Sequence, residues 1–104
     1  MKIVKVTYTT TAEYVAQNQR NIQIVMVDLQ KIAHPGIFYH ACLGADGKTF
    51  THTAFFAEDE YEKVLFELSS FQSFQQQLKQ SGPETPPKPE LLTLVGSSKQ
   101  LFNA

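Results

Sequence analysis

The sequence lacks several features that would place it in a functional class at once. It holds a single cysteine, which excludes an intrachain disulfide and fits a reducing compartment. Its formal net charge is -1, so charge gives no reason to expect nucleic acid or an anionic membrane as a partner. No apolar run approaches the roughly 18 residues of a membrane-spanning helix, and the N-terminal residues lack the apolar core of a signal peptide. We therefore expect a cytoplasmic protein that binds neither nucleic acid nor a membrane.

Motifs that identify common catalytic and metal sites are also missing. The chain contains no glycine-rich phosphate loop, no GxSxG nucleophile motif and no CxxC pair. Cys42 and Glu90 are the nearest candidates to join the histidines in binding a metal, and neither stands at a recognisable ligand spacing. The sequence therefore predicts no metal site and no cofactor.

The composition is that of an ordinary globular domain. Hydrophobic residues make up 42% of the chain and charged residues 18%, and a chain of 104 residues is expected to form one domain over residues 1–104. Because charges are few and phenylalanines number eight, we also expect apolar surface that another chain covers.

A β-hairpin is the clearest element in the sequence. The stretch from Ile37 to Phe56 consists of two β-branched and aromatic runs joined at Asp-Gly, which is the strongest short-range hairpin signal. Two registers remain open. A two-residue loop pairs Ala41 with His52 and puts the imidazoles of His40 and His52 on opposite faces of the sheet. A three-residue loop that begins at Ala45 pairs His40 with His52 on one face.

The other elements follow from periodicity and from helix-end signals. Apolar residues at helical spacing, among them Ile22, Val25 and Ile32, form the stripe of a long helix. Capping boxes are expected at two helix starts, where Thr10 and Ser69 each precede Glu or Gln by three residues. The predicted elements are, in chain order, a strand over Lys2–Thr9, a helix over Ala12–Ala33, the hairpin, two short helices that meet at Ser69-Ser70, an extended connector over Pro83–Pro89, a strand over Glu90–Gly96 and a tail over Ser97–Ala104.

This βαββαβ order predicts an α+β, ferredoxin-like fold, in which a four-stranded antiparallel sheet carries its helices on one face. Both faces of the hairpin strands are apolar, since Tyr39 and Leu43 point one way and Phe38 and Cys42 the other. Cys42 is interpreted as a small buried hydrophobe in a central strand. A sheet that is apolar on both faces needs a second cover, which the chain has no further elements to supply. The predicted assembly is a homodimer in which a second copy of the sheet covers the first.

The element order and three segments resemble the dimeric α+β barrel superfamily, which includes the antibiotic-biosynthesis-monooxygenase-like proteins. The segments are DGKTFTHTAFF, LSSFQSFQQQLKQSGP and ELLTLVGS, and the nearest likeness is to small bacterial members. The resemblance covers nearly the whole chain and implies a barrel made from the sheets of two subunits, with a cavity between sheet and helices. It leaves the activity open, because the superfamily includes oxygenases, haem-degrading enzymes and isomerases. The absence of tryptophan speaks against the haem-degrading branch.

His52 is the candidate catalytic residue, because an imidazole can accept or relay a proton near neutral pH. A hydrogen-bonded histidine of the sheet is the more frequent role for such a residue. Tyr39, Phe50 and Tyr8 are predicted to line a ligand-binding site with His52, although aromatic residues at strand spacing more often belong to the core. His34 is expected to interact with the C-terminal end of the long helix.

Three functions are compatible with these observations. The first is a homodimer that binds a small apolar or aromatic molecule in the barrel or in the helix–sheet cavity. The second is a cofactor-independent monooxygenase or isomerase in which His52 is the general base for a phenolic or enolic proton. The third is a purely structural dimer, whose barrel would be packed solid with side chains. The first is favoured slightly over an enzyme, because no convergent set of polar residues can be recognised in the sequence.

Overall fold

The computed structural model of the protein describes residues 1–102. Its strands are β1 (Lys2–Thr9), β2 (Ile37–Leu43), β3 (Thr49–Phe56) and β4 (Thr85–Leu92). Its helices are α1 (Val15–Ile32), α2 (Glu62–Phe66) and α3 (Ser69–Gln80), and 3-10 turns over Ala12–Tyr14 and Asp59–Tyr61 precede α1 and α2. The last two residues of the predicted tail, Asn103 and Ala104, lie outside the described residues.

The four strands form one antiparallel sheet in the order β2-β3-β1-β4. The strands β2 and β4 are therefore its edges. The core lies between one face of this sheet and the helices, and this arrangement confirms the predicted ferredoxin-like α+β fold. The buried core residues are Tyr8, Phe50, Ala54 and Phe56 from the sheet, Ile22 and Val25 from α1, Leu65 from α2, and Phe71, Phe74 and Leu78 from α3.

The hairpin register places the two strand histidines on opposite faces of the sheet. Ala41 lies opposite His52, and His40 lies opposite Thr53. Residues that face each other across an antiparallel pair share a face, and adjacent residues of one strand alternate between faces. The pairing is therefore that of the two-residue loop, and the alternative that brings His40 beside His52 is wrong.

The turn of the hairpin is wider than two residues. Its last strand-like hydrogen bond runs from the Gly44 N–H to the Thr49 carbonyl at 2.7 Å. The Asp46 side chain closes the turn by accepting the N–H groups of Lys48 and Thr49. Gly47 has a φ of 76°, a left-handed conformation that glycine adopts at little cost.

The last strand begins earlier than the sequence predicts. The segment Pro83–Pro89, predicted as a connector, supplies most of β4, and the predicted strand over Glu90–Gly96 is wrong beyond Leu92. Prolines indicate a connector because they have no N–H to donate to a neighbouring strand. At a sheet edge every second N–H points away from the neighbour, so proline is tolerated there, and Pro89 pairs with Val6 in this way.

Neither predicted capping box forms. The backbone N–H of Thr10 binds the Lys48 carbonyl at 3.0 Å, which holds Thr10 against the hairpin turn. Its hydroxyl is directed toward the same carbonyl, and no side chain caps the 3-10 turn that follows or the start of α1 at Val15. At α3 the N-cap residue is Leu68, and Ser69 already lies inside the helix. The N–H of Gln72, which Ser69 was expected to cap, donates instead to the Leu68 carbonyl at 3.0 Å.

Three further expectations about individual residues are wrong. Cys42 is exposed, because β2 is an edge strand and not a central one, and because Cys42 projects from the sheet face that the helices do not cover. Ile32 is exposed as the last residue of α1, where Ala33 takes a left-handed conformation that ends the helix. The hydrogen bond of the His34 side chain does not cap α1, since its Nδ1 accepts the Gly36 N–H at 3.0 Å within the following turn.

Candidate functional site

A cavity of about 380 Å³ opens between the sheet and the helices α2 and α3. This volume lies within the range of small-molecule sites in proteins. Its walls are mainly apolar, and its innermost polar residues are Tyr8, Tyr39 and His52. Apolar wall residues include Val4, Val6 and Ala54 of the sheet, Leu65 and Phe74 of the helices and Pro89 of the edge strand.

An imidazole held between two phenol groups forms the polar centre of this cavity. The Tyr8 hydroxyl lies 2.6 Å from His52 Nε2, and the Tyr39 hydroxyl lies 2.6 Å from His52 Nδ1. The sheet explains the arrangement, because His52 lies on β3 while Tyr8 and Tyr39 come from the two strands that flank it. All three side chains project from the face that the helices cover.

Burial keeps the whole cluster uncharged at neutral pH. His52 is 3% exposed, and burial, with a smaller effect from nearby His40, lowers its pKa from 6.5 to about 4. Burial also raises the pKa of Tyr8 and of Tyr39 well above the ordinary value of 10.0. The imidazole therefore carries one N–H and one lone pair, and both tyrosines keep their hydroxyl protons.

Asn18 extends this cluster and was not predicted as a site residue. It is fully buried on α1, and its Nδ2 donates to the Tyr8 hydroxyl at 2.8 Å. Its Oδ1 accepts no hydrogen bond within the part of the chain that is described. The one signal in the sequence is that a polar residue interrupts the apolar stripe of α1 between Val15 and Ile22.

The structure brings three of the four predicted ligand-site residues together. Tyr8, Tyr39 and His52 share the cavity wall and the hydrogen bonds described above. Phe50 is not part of that wall, because it lies in the core with its ring stacked on Tyr8 at a centroid distance of 5.5 Å. It supports the position of Tyr8. His40 lies on the opposite face of the sheet, so the two histidines cannot act in one cavity.

Solved structures similar to this chain cover nearly its full length. A protein from Nitrosomonas europaea that is assigned as an antibiotic biosynthesis monooxygenase superposes with a TM-score of 0.78, at 12% identity over 92% of this chain and 100% of that one. A protein with the same assignment from Deinococcus radiodurans gives 0.72, at 16% identity over 96% of this chain and 98% of that one. The chain shares the ferredoxin-like α+β fold of these proteins. No sequence-family profile matches it, and no curated protein matches it in sequence.

The same fold also occurs in an enzyme of stated activity. A variant of SnoaB, a cofactor-independent oxygenase from Streptomyces nogalater, gives a TM-score of 0.68 at 11% identity, over 95% of this chain and 98% of that one. At such identities the likeness establishes the fold and not the reaction, since one fold supports many activities.

Two kinds of feature are missing from residues 1–102. No helix there is long and apolar enough to cross a membrane. No three side chains of the metal-binding types His, Cys, Asp and Glu come together in the same residues.

Proposed function

We propose that this protein binds a small, mainly aromatic molecule in the cavity beside His52. The observation that carries the proposal is a largely apolar cavity of about 380 Å³ whose wall holds one buried polar cluster. Protein interiors are normally packed without spaces of this size, so an open one with a polar group in its wall is typical of a ligand site. A structural dimer alone gives no reason for the space.

The walls indicate the chemistry of the ligand. Phe56, Phe71 and Phe74 border the cavity and favour an aromatic ring by stacking and edge contacts. The polar groups at His52 and its two tyrosines are uncharged, so they can hydrogen-bond a neutral group without the cost of burying a charge. We therefore propose a ligand with an aromatic body and one neutral polar group.

We expect 2-tetralone, a ketone with two fused rings, to bind in this cavity, and Val6→Phe to weaken that binding by about tenfold or more, a loss of about 1.4 kcal/mol. Val6 lies in the cavity wall, and the larger side chain would occupy the space of the ligand. A titration followed by ¹H–¹⁵N chemical shifts measures the affinity and shows which amides respond.

Val27→Phe is the matched control. It makes the same substitution on α1 at a residue that is 47% exposed and lies outside the cavity wall. Unchanged affinity in Val27→Phe with a loss in Val6→Phe supports the cavity as the site. Equal affinities in both variants, or shifts confined to residues outside the cavity, would contradict it.

We also propose that the uncovered sheet face joins two copies of the chain. On that face Phe38 stacks on Phe55 at a centroid distance of 5.6 Å, and His40 meets Phe38 edge-on at 5.3 Å. Phe38 is nevertheless 45% exposed, so much of this aromatic cluster contacts solvent in the single chain. A two-fold arrangement of identical faces buries it with no further element.

Sedimentation at micromolar concentration is expected to give about twice the chain mass of 11.7 kDa. Phe38→Lys should shift the protein toward monomer, because it places a charge in the proposed interface. Phe66→Lys should leave the dimer intact, since Phe66 is equally exposed at 46% but lies on α2, which packs on the other face. A monomer in the wild type, or an equal effect of both variants, would remove the dimer proposal.

A second candidate is a cofactor-independent monooxygenase, favoured by the fold that this chain shares with SnoaB. The substrate would be an aromatic compound with an acidic phenolic or enolic proton. Loss of that proton allows the substrate to react with dioxygen. Over the whole reaction the substrate gives four electrons to O₂: a CH₂ group becomes a carbonyl that keeps one oxygen atom, and the second oxygen atom leaves as water with the two hydrogens. His52 would be the general base, with Tyr39 passing the proton to Nδ1.

This second function predicts oxygen consumption with 2-tetralone, whose enol is readily formed. His52→Gln should lower the rate by about 100-fold or more, the usual size of a general-base contribution. His40→Gln should keep the wild-type rate, because His40 lies on the opposite face of the sheet. Saturating binding of the ketone with neither oxygen uptake nor deuterium exchange at its enolisable carbon would exclude this reaction for it.

A further inference from the structure

We propose that the hydrogen bonds of the cluster run in one direction, from Asn18 through Tyr8 and His52 to Tyr39, and leave the Tyr39 hydroxyl proton for the ligand. The site would then select neutral aromatic compounds with a hydrogen-bond acceptor, such as a ketone. This inference rests on the proposed binding function and names the substrate class for the same cavity.

The first step is a count of protons. Two hydrogen bonds join the imidazole to the tyrosines, and three protons are available for them: one on each hydroxyl and one on the ring. One hydroxyl proton is therefore left over. If Tyr8 donates to Nε2, then Nδ1 carries the ring proton and donates to Tyr39, whose own proton is free. If the direction is reversed, the free proton is on Tyr8.

Asn18 decides between the two directions. Its Nδ2 donates to the Tyr8 oxygen, so the Tyr8 proton is free to point to His52 Nε2. In the reverse direction the Tyr8 oxygen would accept from both Asn18 Nδ2 and His52 Nε2, and its buried proton would have no acceptor. Turning the Asn18 amide over would supply an acceptor, but the fully buried amide nitrogen would then lose its partner. An unpaired buried N–H is rarer in proteins than an unpaired carbonyl oxygen, and the oxygen is the atom that lacks a partner here.

The position of Tyr39 gives the free proton a destination. Tyr39 lies in the cavity wall, and among residues 1–102 its hydroxyl forms a side-chain hydrogen bond to His52 and to no other residue. A ligand oxygen in the cavity is then the acceptor that completes the chain of hydrogen bonds. A donor that is shielded from water and has no partner costs free energy, so the site favours ligands that supply an acceptor.

This direction of the hydrogen bonds also gives Tyr39 and His52 distinct roles. Tyr39 contacts the ligand, and His52 is a positioning residue that orients the Tyr39 oxygen. With the proton on Nδ1 and with Nε2 occupied by Tyr8, His52 has no lone pair to receive a proton through Tyr39. The inference therefore supports the binding function over the general-base reaction.

Long-range ¹H–¹⁵N spectra of the full-length protein at pH 7.5, labelled at its histidines, test the direction without any ligand. The His52 signals, assigned by their loss in His52→Gln, should show a protonated Nδ1 and an unprotonated Nε2. A protonated Nε2 would overturn the inference, because Tyr8 could then not be the donor.

The second test compares 2-tetralone with tetralin, the hydrocarbon of the same ring size without the oxygen. In Tyr39→Phe the ratio of ketone to hydrocarbon affinity should fall by about 2- to 10-fold, the value of one neutral hydrogen bond. Tyr14→Phe is the control, since Tyr14 bonds Asn21 and lies outside the cavity wall. An unchanged ratio in Tyr39→Phe would overturn the inference while leaving the binding function intact. Failure of both compounds to bind would contradict the proposed function, and the tautomer would still decide the direction of the hydrogen bonds.

Discussion

Replacing Phe71 with alanine is expected to lower the free energy of unfolding by about 3–5 kcal/mol, the usual cost of removing a buried phenylalanine ring. Phe71 is 6% exposed, and its ring packs between α3, α2 and the sheet. Its ring lies 5.8 Å from Phe74, 5.7 Å from Phe66 and 6.3 Å from Tyr39, measured between centroids. The loss would leave a void beside Tyr39, so both stability and the position of the tyrosine should suffer.

Phe66→Ala is the control for this effect. This substitution removes the ring that stacks on Phe71. Because Phe66 is 46% exposed, the substitution should lower the free energy of unfolding much less than Phe71→Ala. Urea unfolding of both variants, at one fixed protein concentration, gives the two free energies. A loss below about 1 kcal/mol for Phe71→Ala would show that its ring is not part of the core.

The second large effect is on the pH dependence of stability. We expect the free energy of unfolding to fall by about 2 kcal/mol between pH 7 and pH 5, because the pKa of His52 is about 4 in the folded protein and 6.5 when unfolded. Below pH 6.5 the unfolded chain binds a proton that the folded chain excludes. The contribution of the neutral imidazole to the free energy of unfolding is therefore fully present above pH 6.5. It is lost as the pH falls below this value, and the loss is complete near pH 4.

His52→Gln separates this contribution from those of the other ionisable groups. The variant keeps an amide that can meet the tyrosine hydroxyls but does not titrate. Between pH 7 and pH 5 its free energy of unfolding should therefore fall by about 2 kcal/mol less than that of the wild type. Identical pH profiles would show that His52 is not buried as a neutral imidazole.

Much of the fold could be predicted because local signals agree with it. The Asp-Gly turn, the alternating strands and the helical stripes together specify the βαββαβ order and the position of His52 on the central strand β3. Strand periodicity alone does not place Tyr39 and His52 on one face, because they share it only in the register of the two-residue loop, and the sequence left that register open. The pairing of Ala41 with His52 in the structure decides it.

The misplaced last strand shows where local signals fail. The prolines of Pro83–Pro89 exclude a central strand, but they do not exclude an edge strand, and the sequence does not state which strand is at the edge. The exposure of Cys42 has the same origin. Its strand β2 has a paired neighbour on one side only, and this depends on where β1 joins the sheet.

The place of Asn18 in the polar cluster could not be predicted for a related reason. Asn18 lies ten residues from Tyr8 in sequence, and its contact depends on how α1 crosses the sheet. The sequence shows only that a polar side chain falls on a buried face. The prediction that Phe50 lines the ligand site is wrong for a different reason. The alternation of a strand shows which face of the sheet a residue is on, but not which residues of that face border the cavity.

A crystal structure of the protein grown with 2-tetralone tests the central claim most directly. We expect the ketone in the cavity beside His52, with its oxygen at hydrogen-bonding distance from the Tyr39 hydroxyl and its rings against Phe71 and Phe74. A cavity filled by side chains, with Tyr39 and His52 bonded only within their own sheet, would contradict the claim that this chain has a ligand-binding site.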